Sequence, residues 1–236
     1  MKRLFLIALF SLGLGQAFSQ GVYFSYFGYN GSWSGVKGLN QVVDNYNISR
    51  SWLDQEMGTF GYLGGYSSEV GYMNKIWLEG GFNWRYRKRK AFGTDLFGDF
   101  GTRQLKFKSS CYGATIGWGV FESGFGFGIG ARTELGNTKL LSRVYYPEDS
   151  GKGKFEKVND HFFTLKSGPA IRIIIPITGG VYASLLLHYQ YGIIGNNMTV
   201  SDQVINNTLY SGNQEIFDNS MHTFGFSISI GAYHEN

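Results

Sequence analysis

Cysteine occurs once, at Cys111, so no intramolecular disulfide can brace this chain. Proline is almost as scarce, at 3 residues in 236, and charged residues make up only 16%. After the first twenty residues no apolar run approaches the roughly 18 residues a transmembrane helix needs. Stability therefore has to come from packing and from closed backbone hydrogen bonding. Only 4 histidines are present, which is thin material for metal or acid–base chemistry.

An excess of basic charge is lacking too, once the start of the chain is read. Lys2 and Arg3 precede an apolar run from Leu4 to Leu14 and then Gln16-Ala17-Phe18-Ser19. Positive start, short greasy middle and small residues predict a secretory signal peptide over residues 1–19, cut after Ser19. Residues 20–236 then form a single domain. Without Lys2 and Arg3 the 21 basic residues fall to 19 against 17 acidic, a net charge of +2. The sequence pI near 9.0 is thus no sign of nucleic-acid binding.

What the chain does have is 35 Gly, 20 Phe, 16 Tyr and 5 Trp, often in alternation. From Ile76, even positions read Ile76, Leu78, Gly80, Phe82, Trp84, Tyr86, while odd positions carry Trp77, Glu79, Asn83, Arg85 and Arg87. A period of two with one greasy and one polar face is the mark of a half-buried strand. The same pattern places Phe163, Leu165, Ile171, Ile173 and Ile175 opposite Thr164, Lys166, Ala170 and Arg172. It recurs around Phe125–Leu135, Val181–Tyr191 and Thr223–Ile230. Less regular strands are expected at Gly21–Tyr29, Gly58–Met73 and Arg103–Phe121, the last with a bulge near Ser109-Ser110 where the apolar phase slips.

Connections decide the architecture. Met73-Asn74-Lys75, Glu122-Ser123-Gly124 and Thr178-Gly179-Gly180 read as tight turns. Between them fall four long segments, Asn30–Met57, Lys88–Thr102, Gly136–Asp160 and Gly192–Ser220. Strict alternation of short and long connections is expected of an all-β transmembrane antiparallel up-and-down barrel of eight strands, with short periplasmic turns, long extracellular loops and both termini periplasmic. Lipid offers no partner to a free strand edge, so the first and last strands must pair. The competing soluble arrangement is a lipocalin-like barrel. It would turn Arg85, Arg132, Arg172, Glu69 and Glu79 out to water and bury the Ile and Phe faces.

These features together resemble the small eight-stranded outer-membrane proteins of Gram-negative bacteria. Such proteins end in a signal of the form polar-x-Gly-x-x-apolar-x-apolar, read by the barrel-assembly machinery. Thr223-Phe224-Gly225-Phe226-Ser227-Ile228-Ser229-Ile230 fits that form, through Thr223, Gly225, Ile228 and Ile230. The family often finishes on an aromatic residue, whereas this chain runs on to Tyr233-His234-Glu235-Asn236.

Eight strands leave a lumen that side chains just fill. The inward set includes Leu63, Glu69, Trp77, Glu79, Arg85, Arg132, Arg172, Tyr182, Leu186 and His188. Glu69 and Glu79 lie five residues either side of Asn74, so a simple hairpin sets them opposite each other. Like charges in that position repel. Arg132 and Arg172 are expected to bridge them as a salt-bridge plug, which argues against a metabolite porin. Paired carboxylates can also do acid–base chemistry. The structural role is the stronger expectation here.

Function then falls to the loops and rim. Val36, Leu39, Val43 and Tyr46 follow helical spacing, with Ser34 a candidate cap. Such a helix is either a docking face, a lid or a packed closure of the barrel mouth. Arg87-Lys88-Arg89-Lys90 is the densest basic run and a candidate contact for lipopolysaccharide phosphates. A rim enzyme would have to draw on Asp160, His161, His222 and Ser167 or Ser220. No cofactor or metal is implied. Three roles follow: a structural or accessory subunit on a larger outer-membrane complex, a surface-exposed adhesion or ligand-binding barrel, and a rim enzyme acting on lipid. The first is the leading expectation.

Overall fold

Residues 22–94, 100–122, 125–146, 153–158, 162–194, 197–201, 214–218 and 221–235 are described by the computed structural model of the chain. The proposed signal peptide lies outside them, as do Asp160, His161 and Ser220.

Tyr62–Thr94 is extended over 33 residues. Drawn straight, it would run roughly 110 Å at about 3.3 Å per residue, far beyond any bilayer. It doubles back instead at Lys75, whose φ of 55° is left-handed. Residues 62–73 pair with the first strand, and residues 75–94 pair with the next one. The two arms also lie against each other: a β-carbon on Gly65 would stand 2.8 Å from Arg85 Cα, and one on Gly81 2.6 Å from Glu69 Cα.

Counting the arms separately gives eight strands: β1 Val22–Ser34, β2 62–73, β3 75–94, β4 Phe100–Glu122, β5 Phe125–Tyr145, β6 Phe162–Thr178, β7 Val181–Ile194 and β8 Thr223–Glu235. Each pairs antiparallel with its sequence neighbour. β8 closes the ring on β1, from Val22 opposite Glu235 to Ser34 opposite Thr223. Closure satisfies both edges, as a lipid environment demands. The β6–β7 turn places Gly179 and Gly180 at φ 49° and 81°, the left-handed pair that a two-residue hairpin requires.

Side chains are distributed inside out relative to a soluble barrel. Ile171 and Ile175 are exposed, as are Ile116, Ile129, Ile228 and Ile230, while Arg85, Arg132, Arg172, Glu69 and Glu134 are buried in the lumen. The lipocalin-like alternative, which needs the reverse, does not hold.

Several expected boundaries move. β1 continues through Asn30–Ser34, β3 through Lys88–Thr94, β4 begins at Phe100, β5 runs on to Tyr145 and β7 to Ile194, all inside stretches expected as loops. The barrel wall thus rises above the greasy belt. The bulge expected at Ser109-Ser110 is absent: β4 keeps unbroken register with both β3 and β5 through that point. The lining changes while the backbone does not. Inward residues Ser109, Cys111 and Thr115 border the charged lumen, whereas inward Leu105 and Phe107 border a greasy cap above it. The apolar phase inverts because the environment inverts.

That cap is built around one helix, α1 Lys37–Ile48. Leu39, Val42, Val43 and Tyr46 sit on one face at helical spacing and are buried with Met57, Phe60, Leu63, Ala91, Leu105, Phe107 and Leu140. The helix therefore closes the mouth. Ser34 does not cap it: the N-terminal residue is Val36 with no side-chain cap, and the Ser34 hydroxyl meets Thr223 Oγ1 at 3.2 Å. Two asparagines strap the returning chain instead. Asn40 Nδ2 donates to the Phe60 carbonyl at 2.8 Å while Phe60 N donates to Asn40 Oδ1 at 2.7 Å. Asn47 makes the same double contact with Met57, at 3.0 and 2.9 Å.

Candidate functional sites in the lumen and on the outer rim

The lumen holds three layers. At the end nearest the turns, Phe24, Tyr26, Met73, Trp77, Ile174, Tyr182 and Leu186 form an apolar, ring-rich layer. Phe24 and Tyr26 meet the Tyr182 ring edge-on, each with centroids 5.3 Å apart. At the opposite end stands the helix cap. Between them lies the charge.

Arg172 Nη2 reaches Glu69 Oε2 at 2.6 Å and Glu79 Oε1 at 2.5 Å. Arg132 Nη2 reaches Glu69 Oε1 at 2.6 Å, and its Nη1 reaches Glu79 Oε1 at 3.1 Å. The hairpin at Lys75 brings the two carboxylates side by side, and β5 and β6 each bring one guanidinium. The remaining donors are used as well. Arg172 Nη1 donates to Ser184 Oγ at 2.9 Å, Arg132 Nη1 to Thr115 Oγ1 at 3.2 Å, and Trp77 Nε1 to Glu79 Oε2 at 3.3 Å. Such geometry is what a buried pair needs if attraction is to offset desolvation.

The network is larger than the four residues singled out from sequence. Arg85 grips Glu134 with two nitrogens, each at 2.8 Å, and gives its Nε to Asn30 Oδ1 at 2.5 Å. Arg132 Nε adds Glu134 Oε1 at 3.3 Å, so three guanidiniums and three carboxylates form one cluster. Strand parity already places Arg85 and Glu134 on the inward face. Their mutual height depends on the stagger between β3 and β5, which sequence does not reveal. Lys166 is a further buried cation. Its Nζ donates to Thr223 Oγ1 at 2.9 Å, and that hydroxyl donates on to the Met221 carbonyl at 2.9 Å.

Glycines make room for this cluster at defined points. A β-carbon on Gly113 would lie 2.9 Å from Arg132 Cζ, so only a bare Cα clears the guanidinium. Gly225 clears the His188 ring in the same way. Among the described residues, neither nitrogen of His188 has a hydrogen-bond partner, and Nε2 stands 4.0 Å from Glu134 Oε1.

The basic run at the rim is split by the pleat. Arg87 and Arg89 share the inward parity of Asn83 and Arg85, and Arg89 Nε donates to the Thr59 carbonyl at 2.6 Å. The four residues Arg87, Lys88, Arg89 and Lys90 therefore divide between the two faces of the strand, with Lys88 and Lys90 on the outside. Lys88 stands opposite Lys106 on β4, and Lys108 stands opposite Lys139 on β5. Lys106 Nζ lies 4.8 Å from the Tyr86 ring centre, and Lys108 Nζ 5.6 Å from that of Trp84.

The candidate rim enzyme gains no geometry from the described residues. The Ser167 hydroxyl bonds Thr133 Oγ1 at 3.0 Å. His222 Nδ1 accepts from the Gly192 amide at 3.4 Å and packs edge-on to Tyr191. In the last strand Phe224, Ile228 and Ile230 of the terminal pattern are exposed on the outer wall, while Thr223 is buried.

A closed ring of eight antiparallel strands, greasy outside and ionised within, defines a transmembrane up-and-down β-barrel of the outer-membrane kind. No protein-family model matches the chain, and no curated protein does. Among solved structures it is similar to Ail, the attachment invasion locus protein of Yersinia pestis, solved with the heparin analogue sucrose octasulfate. The identity is 11% and the TM-score 0.42, covering 91% of this chain and 99% of that one. Neisserial surface protein A is similar at 13% identity and TM-score 0.41, covering 89% and 96%. A major outer membrane protein of Thermus thermophilus is similar at 11% and 0.43, covering 90% and 99%.

Proposed function

We propose that this protein is a non-conducting barrel of the bacterial outer membrane that serves as a structural or accessory subunit of a larger outer-membrane complex. The observation that supports this most is the filled lumen. A greasy, ring-rich layer, a charged layer and a helix cap follow one another along the axis, so the surfaces available for work are the outer wall and the extracellular end. One part of that wall suits a protein neighbour. Trp33, Tyr62, Phe224 and Phe226 pack into one aromatic cluster on the outer faces of β8, β1 and β2, with Trp33 within 5.1 to 5.8 Å of the other three rings.

The export signal over residues 1–19 and the terminal pattern of Thr223, Gly225, Ile228 and Ile230 fit this reading, the latter as the segment handed to the barrel-assembly machinery. On this reading both termini lie in the periplasm. Purification from membranes in mild detergent, followed by mass spectrometry, tests the role. A stoichiometric partner that is lost on Trp33→Ala is the expected result. A monodisperse single chain from native membranes contradicts it and leaves the adhesion or ligand-binding reading.

A further inference from the structure

The wall that runs from β1 to β5 carries two features that sequence alone does not join. The first is a tier of cations on its outer face. Lys88 faces Lys106, Lys108 faces Lys139, and Gln104 faces Arg143 across the paired strands. The neighbouring charges that Lys106 feels, those of Lys88, Lys108 and Arg143, are all positive. Among the described residues no carboxylate pairs with Lys88, Lys106, Lys108 or Lys139. Glu156, on the short strand Glu156–Lys157 beside β5, faces Ser142, and among the described residues it forms no ion pair with the tier. A cluster of unmatched like charges costs energy unless an anion joins it. The tier is held among Trp84, Tyr86 and Phe155, with Lys106 Nζ 4.8 to 6.0 Å from their ring centres. Aromatic residues of this kind mark the headgroup level of a bilayer.

The second feature is a groove of about 740 Å³ on the same wall, lower in the greasy belt. Its floor is a row of small residues, Gly80 opposite Ala114 and Ala114 opposite Thr133. Its sides include Val70, Leu78 and Ile116, with Val70 and Ile116 open to the surroundings at 64% and 63% exposure. From Lys108 to Ala114 is six residues, roughly 20 Å along the strand. A strand tilt of about 40° makes that roughly 15 Å of depth. One leaflet's hydrocarbon is about 15 Å deep, half of a core near 30 Å. Cations at headgroup height and an acyl-sized slot one leaflet below them match the two ends of a single amphiphile.

We infer that this wall is a binding site for a phosphorylated acyl lipid of the outer leaflet, of the lipopolysaccharide type. Its phosphates rest on Lys88, Lys106, Lys108 and Lys139, and an acyl chain runs down to the groove over Gly80 and Ala114. The site is independent of the proposed subunit role: its cations stand on β3, β4 and β5, and only the edge of the groove, at Tyr23 and Val70, shares strands with the aromatic cluster at Trp33.

The test is native mass spectrometry of the full barrel in detergent, with bisphosphorylated hexa-acyl lipid A, its dephosphorylated form, phosphatidylethanolamine and inorganic phosphate as probes. One bisphosphorylated lipid per barrel is expected, bound at least tenfold more tightly than the dephosphorylated form or phosphatidylethanolamine. The double variant Lys106→Gln with Lys108→Gln loses that preference. The groove-filling variant Ala114→Leu, or Gly80→Ala if the first folds poorly, weakens lipid binding several-fold with heat-modifiable folding retained. Equal binding by wild type and the lysine variant overturns the site, as the tier would then only set insertion depth. Competition by millimolar inorganic phosphate, with no effect of the groove variants, overturns the lipid in favour of a bare phosphate site.

Discussion

At the residue scale the account turns on Arg172. It is fully buried and holds both Glu69 and Glu79. Removing one partner of a buried ion pair costs about 3–5 kcal/mol, because the other charge stays in place without water. Arg172→Met is therefore expected to lower the unfolding temperature in detergent well below that of the wild type. Adding Glu69→Gln to Arg172→Met should recover part of the loss, since it removes the charge left unpaired. An unchanged melting temperature for the single variant contradicts the network. Gly113 tests the same cluster sterically. Gly113→Leu drives a side chain into the space of the Arg132 guanidinium, 2.9 Å from Cζ. Overpacking of this sort costs about 1–3 kcal/mol, and thermal melts of the folded band report it.

Much of this was legible from residues alone. Period-two parity put Glu69, Glu79, Arg132 and Arg172 on the inward face. The expected turn at Asn74 would set the two glutamates directly opposite, whereas the turn at Lys75 sets Glu69 against Gly81 and Glu79 against Gly71, so the carboxylates meet on a diagonal. Arg85 and Glu134 share that parity, yet their bidentate contact went unread. Parity fixes which face a side chain takes but leaves its height free, and height comes from the stagger between strands.

At the element scale the legible parts were those bathed in lipid. There the two faces differ sharply, so β3, β5, β6, β7 and β8 declare themselves. Where the wall rises past the membrane, the contrast fades or reverses, and Lys88–Thr94 and Gly136–Tyr145 read as loop although they are strand. The supposed bulge at Ser109-Ser110 has the same origin. Helix α1 was visible through the spacing of Leu39, Val43 and Tyr46, and the structure turns that face down into the mouth. Val43→Asp with Leu39→Asp puts two charges into that layer. The expected result is rapid proteolytic cleavage between residues 37 and 60 while the barrel keeps its folded, heat-modifiable band. Loss of the barrel as well would mean the cap is required for closure, contrary to a ring that closes through β1 and β8.

At the scale of the whole molecule, three stacked layers make the barrel a wall rather than a pore. Reconstitution into planar bilayers should give no steady ion conductance. Replacing α1 by a flexible linker should still give none, because the charged and ring-rich layers remain below. Stable conductance from the intact chain contradicts a filled lumen.

Every layer depends on which way the faces of the strands point. A nitroxide scan along β6 reads that directly, on a Cys111→Ser background in lipid vesicles. Labels at Ile171→Cys, Ile173→Cys and Ile175→Cys should collide freely with oxygen, which concentrates in the bilayer, and hardly at all with a water-soluble nickel complex. Labels at Ala170→Cys and Ile174→Cys should be shielded from both, giving an oxygen profile with a period of two residues. Isoleucine positions that are shielded from oxygen, or open to the nickel complex, would show the greasy face turned inward and contradict the barrel described.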